Sequence, residues 1–237
     1  MIIKNSKILI TGGSSGLGKA MAIALTEQGA KVIITGRDKP KLEKIAKEIG
    51  CMALHFDVSD YGSIPGNTEK AIEVLKGLEV LINNAGIGRF DLIDDLKVDD
   101  FEKVFATNVF GLAMLTQEVV KYFKEQDKGN IINIASTAAI KGFAYGTVYA
   151  ASKFALSGMT QCWQAELRKH NIRVMQVNPS EVPTAFNQSD RVEKQDEPKK
   201  LTPTEIAHSI VAVLSMDDRG FIPELAVWAT NPFLRKN

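Results

Sequence analysis

The stretch from Ile8 to Gly18, ILITGGSSGLG, constrains the fold more than any other part of the chain. Its apolar and β-branched beginning, Ile8 to Thr11, is typical of a buried strand. Glycines then interrupt the strand, and an alanine-rich helical pattern begins at Lys19. Glycine permits a positive φ and the close approach of a ligand, and a helix begins with unpaired N–H groups that suit a phosphate. The sequence therefore predicts a strand, a phosphate-binding turn and a helix.

The spacing of this turn differs from the common dinucleotide-binding pattern. That pattern is GxGxxG, whereas here Gly12, Gly16 and Gly18 follow Thr11. The alternative interpretation is a glycine-rich turn that only connects a strand to a helix. Motifs further along the chain favour the dinucleotide site.

The residues after the second predicted strand bear on which dinucleotide binds. Lys31 to Thr35 is that strand, and it completes a parallel βαβ unit with a right-handed crossover. In such units an acidic residue at the strand end holds the ribose of NAD, whereas an arginine accommodates the 2′-phosphate of NADP. Gly36 occupies the acidic position and Arg37 follows it, which favours NADP. Because Asp38 comes next, an ordinary solvated Arg–Asp pair is the alternative.

The remaining periodicity predicts strands that alternate with helices. Further strands are expected at 52–56, 80–82, 130–134, 173–177 and 220–228, and helices at 19–28, 39–49, 98–107, 109–126, 149–168 and 204–216, with another ending at 75. Pro223 favours an edge position for the last strand. The pattern indicates an α/β fold: one Rossmann-like, doubly wound domain over residues 1–237, with helices on both faces of a mostly parallel, seven-stranded sheet.

Polar residues follow several of these strands, at the edge where open α/β sheets bind ligands. Asp57 could accept a hydrogen bond from an adenine amino group or could cap a turn. Asn83-Asn84-Ala85-Gly86 follows the fourth strand, where an Asx-rich turn is the alternative. Asn108 separates two helical patterns, which predicts either a break in the helix or a role in the site.

A tyrosine and a lysine on one predicted helix indicate proton transfer. Tyr149 and Lys153 are four residues apart and project from the same face, and Ser136 ends the preceding strand. A phenol with a pKa near 10 is a poor acid at neutral pH, but a neighbouring ammonium stabilises the phenolate and lowers that pKa. For the Tyr–Lys pair alone, exposed helical surface is the alternative.

The composition excludes several kinds of partner. Among 237 residues, 29 basic and 28 acidic side chains leave no overall field to attract nucleic acid or anionic lipid. Cys51 and Cys162 match no metal-binding or CxxC spacing, which favours a reduced compartment. The sequence has neither an export signal nor a segment of about 20 apolar residues. We therefore expect a soluble cytoplasmic protein without a metal, nucleic-acid or membrane partner.

The chain resembles the short-chain dehydrogenase/reductase family in motifs that cover almost its whole length, in the family's order: TGGSSGLG at 11–18, NNAG at 83–86, Asn108, Ser136 and YAASK at 149–153. The resemblance implies that Tyr149 is the general acid in carbonyl reduction and that Ser136 hydrogen-bonds the substrate oxygen. It also implies that Lys153 binds the nicotinamide ribose and lowers the tyrosine pKa. Asn108 would hold a proton-relay water.

The resemblance also implies a cofactor site that prefers NADP(H) to NAD, because family members that prefer NADP commonly have a basic residue at the position of Arg37. The implied cofactor-binding residues are Gly12, Ser14, Ser15, Gly16, Leu17, Gly18, Arg37, Asp57, Val58, Asn84, Ala85, Gly86, Tyr149, Lys153, Pro179, Val182 and Thr184. This chain departs from the family at Ser180, where a glycine is usual.

The preferred interpretation is an NADP-dependent reductase of a small carbonyl compound, resembling the 3-oxoacyl-acyl carrier protein reductases. A 3-oxoacyl thioester on an acyl carrier is then one candidate substrate. The alternatives are an NAD-dependent alcohol dehydrogenase, a non-catalytic sensor that binds nicotinamide nucleotides, and a structural protein that retains the fold.

Three features lead to further expectations. The polar and charged region at about 185–203 predicts a substrate lid. Aromatic side chains are expected either in an apolar pocket or in the core, at Phe143, Tyr145, Phe186 and Trp228. Apolar positions within 109–123 and 154–167 favour a homo-dimer or homo-tetramer, although core burial would produce the same pattern.

Overall fold

The structure, a computed structural model, describes residues 1–186 and 194–232. Its sheet has seven strands: β1 (Lys7–Ile10), β2 (Lys31–Gly36), β3 (Met52–His55), β4 (Val80–Asn83), β5 (Gly129–Ile134), β6 (Ile172–Pro179) and β7 (Glu224–Val227). The strand order is β3-β2-β1-β4-β5-β6-β7, and every neighbouring pair is parallel. The predicted α/β fold is therefore confirmed. The order reverses direction between β1 and β4, and open sheets bind ligands at the carboxyl ends of such strands.

Helices cover both faces of the sheet. They are α1 (Gly16–Glu27), α2 (Lys39–Ile49), α3 (Ile64–Leu75), α4 (Val98–Phe105), α5 (Leu112–Glu125), α6 (Thr147–Leu167) and α7 (Pro203–Ser215). Side chains alternate across β1, so that Ile8 and Ile10 pack in a core with α1, α2 and α7. Leu9 points to the other face and packs in a second core with α3 and α5. Within the described ranges, no helix has the length and apolar character needed to cross a membrane.

Three element boundaries differ from the sequence-based expectation. Helix α1 begins at Gly16 and not at Lys19, so glycines of the turn form its first helical turn. The last strand is limited to Glu224–Val227, because Pro223 before it has no N–H to donate, and it lies at the sheet edge as expected. Between α4 and α5, Ala106–Gly111 forms a π-helical turn.

Buried amides connect the sheet to the helices on one face. Asn83 on β4 donates from Nδ2 to Oγ1 of Thr116 on α5 at 2.9 Å and to Oδ1 of Asn133 on β5 at 2.9 Å. Asn133 in turn donates to Oγ1 of Thr160 on α6 at 2.8 Å. All four residues are at least 98% buried. Because hydrogen bonds are directional, this chain fixes how α5 and α6 lie against the strand ends.

Candidate active site

The glycine turn after β1 has the shape that only glycine allows. Gly12 and Gly16 have φ values of +68° and +51°. A Cβ atom on Gly18 would lie 2.2 Å from the carbonyl oxygen of Gly12, so the turn folds directly onto the first turn of α1. Helix N-terminal N–H groups consequently face the space next to the turn, as a phosphate requires.

The loop after β4 is hydrogen-bonded to this turn. Thr11 accepts at Oγ1 from the backbone N–H groups of Asn84 (3.0 Å) and Ala85 (2.9 Å). The Asn84 side chain donates back to the carbonyl oxygens of Thr11 and Gly12 at 2.9 and 3.1 Å. The NNAG segment is therefore bonded to the glycine turn, and the interpretation of it as an independent Asx-rich turn is not needed.

Charged residues lie at the carboxyl ends of β2 and β3. The Arg37 Nε atom lies 3.6 Å from Oδ2 of Asp57, and both side chains are partly exposed. Asp57 also accepts from the N–H and hydroxyl of Ser59 at 2.9 and 2.8 Å, so it does cap a turn. Asp38 is not part of this ion pair, because its Oδ1 caps α2 by accepting from the Lys41 N–H at 3.0 Å. Arg37, paired with Asp57, and Lys41 thus both line the cavity at this end.

Asn108 lies in the π-helical turn, which confirms the expected break between the two helical patterns. Its Nδ2 donates to the carbonyl oxygen of Ile87 at 2.9 Å and to Oγ of Ser152 at 3.0 Å, and its Oδ1 accepts from the Ile87 N–H at 2.9 Å. Ser152 donates to the carbonyl oxygen of Tyr149 at 2.7 Å. The asparagine therefore connects the loop after β4 to the helix that carries Tyr149. Both of its amide hydrogens are used within the protein.

The three residues with acid–base chemistry come together at the ends of β5 and α6. Ser136 caps the turn after β5 by accepting from the Ala138 N–H at 3.1 Å, and it hydrogen-bonds the Tyr149 hydroxyl. Lys153 is only 5% exposed, and its Nζ donates to the carbonyl oxygen of Ile134 at 2.9 Å. The same Nζ lies 5.7 Å from the centre of the Tyr149 ring.

The protonation equilibria of the pair differ from the expectation. Burial raises the pKa of Tyr149 to about 12, and the hydrogen bond with Ser136 offsets only part of that rise. Burial also lowers the pKa of Lys153 to about 8. The pKa of Tyr149 therefore lies above its ordinary value, and burial is the largest cause. Desolvation of the phenolate outweighs the stabilisation that the Ser136 hydrogen bond gives it.

A cavity of about 1080 Å³ runs along the carboxyl edge of the sheet. It brings together most of the residues that the sequence predicted: Gly12, Ser14, Ser15, Gly16, Leu17, Arg37, Asp57, Val58, Asn84, Ala85, Gly86, Ser136, Tyr149, Lys153, Pro179, Val182 and Thr184. Gly18 and Asn108 do not line it. Of the two alternatives for the aromatic residues, Phe143, Phe186 and Trp228 fit the pocket, because they line the cavity. Tyr145 fits neither, because it lies in an exposed turn with a φ of +67°.

Sequence reasoning missed Phe90, Lys41 and Lys141, which also line the cavity. Phe90 follows the glycines of the loop after β4 without any periodicity, so no pattern singled it out. The two lysines occur in segments where charged residues are common. Ser180, the departure from the family pattern, donates its N–H to the Val227 carbonyl at 2.9 Å and has no positive φ, so serine is accommodated without strain.

The cavity fits a nicotinamide dinucleotide. A Cβ atom at Gly86 would come within 3.3 Å of Asn108 Oδ1 and 3.8 Å of Lys153 Nζ, so the backbone there leaves room that a side chain would fill. A Cβ at Gly16 would lie 3.2 Å from Thr184, which brings the loop after β6 against the glycine turn. Within the described ranges, no cluster of His, Cys, Asp or Glu is arranged to hold a metal ion.

Comparison with known proteins agrees with this geometry. The family model of the short chain dehydrogenases matches residues 6–195. The chain belongs to this family. Its members are oxidoreductases that act on hydroxyl or carbonyl groups with a nicotinamide cofactor, and so this short-chain dehydrogenase is an enzyme of that class.

Relatives and solved structures match the chain over nearly its full length. The NADP-dependent 3-hydroxy acid dehydrogenase of Schizosaccharomyces pombe is 35% identical, over 94% of this chain and 92% of that protein. An alcohol dehydrogenase from Thermococcus sibiricus, complexed with 5-hydroxy-NADP, has a TM-score of 0.87 and 26% identity over 98% of this chain and 100% of its own. A 3-ketoacyl-(acyl-carrier-protein) reductase from Brucella melitensis, complexed with NADH, has the same TM-score and coverage at 27% identity.

The tight approach at Gly18 provides a test of the dinucleotide site in this short-chain dehydrogenase. An alanine there would place its Cβ 2.2 Å from a backbone oxygen, so Gly18→Ala displaces the glycine turn. We expect binding of NADPH, followed by its fluorescence, to weaken by at least about tenfold. Gly66→Ala is the control, since a Cβ there meets nothing within 4 Å. Unchanged affinity in Gly18→Ala would contradict the assignment.

The buried ammonium of Lys153 predicts a pH dependence of stability. Its pKa is about 8 in the folded protein and 10.5 ordinarily, so between these values the unfolded chain binds more protons. The free energy of unfolding should therefore gain a contribution that rises with pH, by up to about 1.4 kcal/mol per pH unit. In Lys153→Met this rise should disappear.

Urea denaturation at several pH values between 7 and 10.5 measures this contribution as the difference between wild type and variant. Lys121→Met is the control, because Lys121 is a surface residue with a side chain that is 63% exposed. A difference between wild type and Lys153→Met that stays constant across the pH range would show that the ammonium is not buried as described.

Proposed function

We propose that this protein interconverts a small carbonyl compound and the corresponding secondary alcohol with NADP(H) as the preferred nucleotide. One observation supports this above the others. Tyr149, hydrogen-bonded to Ser136 and close to the buried Lys153, lines the same cavity as the glycine turn and Arg37. A proton donor and a dinucleotide site therefore share one continuous space.

In the proposed reaction each side chain has a separate task. A bound nicotinamide supplies or accepts the hydride. Ser136 and Tyr149 hold the substrate oxygen, and Tyr149 transfers the proton of its hydroxyl to that oxygen in the direction of reduction. Lys153 would bind the nicotinamide ribose, a role supported by its position next to Gly86. When the cofactor is bound, the positive charge of Lys153 near the phenol opposes the rise in the Tyr149 pKa that burial causes.

Asn108 has a positioning role in this proposal. Its amide is bonded to Ile87 and Ser152, so the side chain maintains the π-helical turn and the register of α6. The implied proton-relay water would therefore have to use the main-chain carbonyl of Asn108, and not its amide hydrogens.

The preference for NADP rests on Arg37. It lines the cavity at the end of β2, where Gly36 stands in place of an acidic residue and Asp38 is engaged as a helix cap. The Schizosaccharomyces pombe relative is NADP-dependent by name, whereas the Brucella melitensis structure holds NADH. An NAD-dependent alcohol dehydrogenase is therefore the second candidate, and the Arg37–Asp57 ion pair is the observation that favours it.

The 3-oxoacyl thioester on an acyl carrier remains a proposal supported by the likeness to the Brucella melitensis reductase. A sensor that binds nucleotide without turnover is disfavoured by the intact Ser136, Tyr149 and Lys153. We propose that residues 1–237 form one cofactor-binding and catalytic domain in the cytoplasm, with a small-molecule substrate.

The lid and the oligomer are also proposals. Lys200 pairs with Glu181 at 2.6 Å, which connects the described part of the lid region to a residue of the cavity; residues 187–193 lie outside the described ranges. A homo-dimer or homo-tetramer is supported by half-exposed apolar side chains along α5 and α6, such as Met114 (39%) and Phe154 (47%).

The acid role of Tyr149 is tested by removing its hydroxyl alone. In Tyr149→Phe the turnover number for carbonyl reduction should fall by roughly 10²- to 10⁴-fold, because a positioned general acid contributes about that factor. NADPH affinity should stay within about twofold of wild type, since the ring is retained. Tyr122→Phe, on the far helix α5, is the control. Retention of most activity in Tyr149→Phe would eliminate this mechanism.

The cofactor preference is tested by titrating the protein with NADPH and NADH in parallel. We expect NADPH to bind more tightly, and Arg37→Ala to weaken NADPH by roughly 10- to 100-fold while changing NADH little, because only NADPH carries the 2′-phosphate. Lys39→Ala removes a nearby charge that does not line the cavity and is the control. Tighter binding of NADH by the wild type would favour the NAD-dependent alternative.

A further inference from the structure

Two phenylalanine rings lie next to the ring of the proposed acid, Tyr149. The ring of Phe90 is 5.4 Å from that of Tyr149, and the ring of Phe186 is 5.6 Å from it, with interplanar angles of 55° and 59°. Phe143 extends the group, since its ring is 6.1 Å from that of Phe90. We call Phe90, Phe143 and Phe186 the aromatic wall. All three line the cavity next to the hydroxyl that meets the substrate.

The backbone is shaped around these rings. A Cβ atom at Gly88 would lie 2.7 Å from the ring of Phe90 and 3.0 Å from that of Phe186. A Cβ at Gly146 would lie 2.7 Å from the ring of Phe143. Glycine at these two positions therefore lets the rings lie close against the main chain, in the loop after β4 and at the start of α6.

The aromatic wall is not part of the core. Phe90, Phe143 and Phe186 are 36%, 51% and 36% exposed, so each keeps apolar surface that faces the cavity. Uncovered apolar surface inside a concave site is typical of a ligand-binding surface, because a ligand gains free energy by removing it from water.

We propose that the substrate carries an aryl or similarly flat apolar group within one or two carbons of the reacting carbonyl, and that the aromatic wall binds that group. The inference rests on the proposed function. In reduction the carbonyl carbon receives the hydride from the nicotinamide, which becomes oxidised, and the carbonyl oxygen receives the Tyr149 proton. The product is an arylalkyl secondary alcohol, and the reverse reaction oxidises that alcohol.

Flatness matters because of the geometry of the wall. Aromatic rings at centroid distances of about 4.5 to 7 Å in tilted or edge-to-face arrangements gain more than area burial alone. A planar substrate ring can pack against these tilted rings from the cavity side. A saturated ring of the same size removes similar apolar area from water but lacks the quadrupole that makes the arrangement favourable.

Phenylacetone and cyclohexylacetone form a suitable probe pair, because neither ring is conjugated to the carbonyl and their sizes match. We expect kcat/KM of the wild type with NADPH to be about tenfold higher for phenylacetone. Phe143→Leu removes one of the three rings and should lower this ratio. Phe143 contacts Phe90 and not Tyr149 among the ring pairs described, so the substitution leaves the acid in place.

Ile140→Ala is the matched control. Ile140 is 50% exposed, lies in the same loop as Phe143 and does not line the cavity, so this variant should keep the wild-type ratio. A wild-type ratio near one, or a preference that Phe143→Leu leaves unchanged, would overturn the inference. The ratio is the readout because a general loss of activity lowers both rates equally.

Ligand binding separates this inference from the proposed function. Calorimetric titration of the Tyr149→Phe protein, loaded with NADPH, measures the affinity for each ketone without turnover. Tighter binding of phenylacetone supports the inference even if the wild type reduces neither ketone, a result that would count against the proposed function. Reduction of both ketones at equal kcat/KM, with equal binding, keeps the function and overturns the inference.

Discussion

The hydrogen bond from the Lys153 ammonium to the carbonyl oxygen of Ile134 is the contact on which the arrangement of the site depends. A buried ammonium is costly unless a partner receives its hydrogens, and here the partner is the last residue of β5. The bond therefore fixes α6 against the end of that strand. Ser136 follows Ile134 by two residues and Tyr149 precedes Lys153 by one helical turn, so the serine and the phenol come into contact.

Other polar contacts fix α6 at further positions along its length. Asn133 bonds Thr160 near the middle of α6, and Asn108 bonds Ser152, which lies between Tyr149 and Lys153 in the sequence. Apolar packing alone tolerates small sliding movements of a helix, whereas buried hydrogen bonds accept few geometries. Burying these polar groups costs free energy, but their hydrogen bonds hold the tyrosine hydroxyl in one position.

Structural features that depend on local sequence patterns could be predicted from the sequence. Features that are determined by tertiary contacts could not. Short apolar runs located the strands, and the YAASK spacing placed Tyr149 and Lys153 on one helical face. The helix start at Gly16 was missed because glycine is a poor helix former, and contacts with Gly12 and Thr184 decide the conformation there. Phe90 and the raised pKa of Tyr149 depend on neighbours distant in sequence, and no spacing rule contains them.

The π-helical turn Ala106–Gly111 makes the number of residues between α4 and α5 significant. Such a turn accommodates one residue more than an α-helical turn does, and each residue of an α-helix rotates the chain by about 100°. Gly111 also lies against Val58, since a Cβ there would be 2.2 Å from the Val58 carbonyl oxygen. The π-helical turn therefore absorbs one residue that would otherwise rotate α5 by about 100° about its axis and turn Phe123 away from the core. Chain length in this segment is therefore as strictly constrained as side-chain identity.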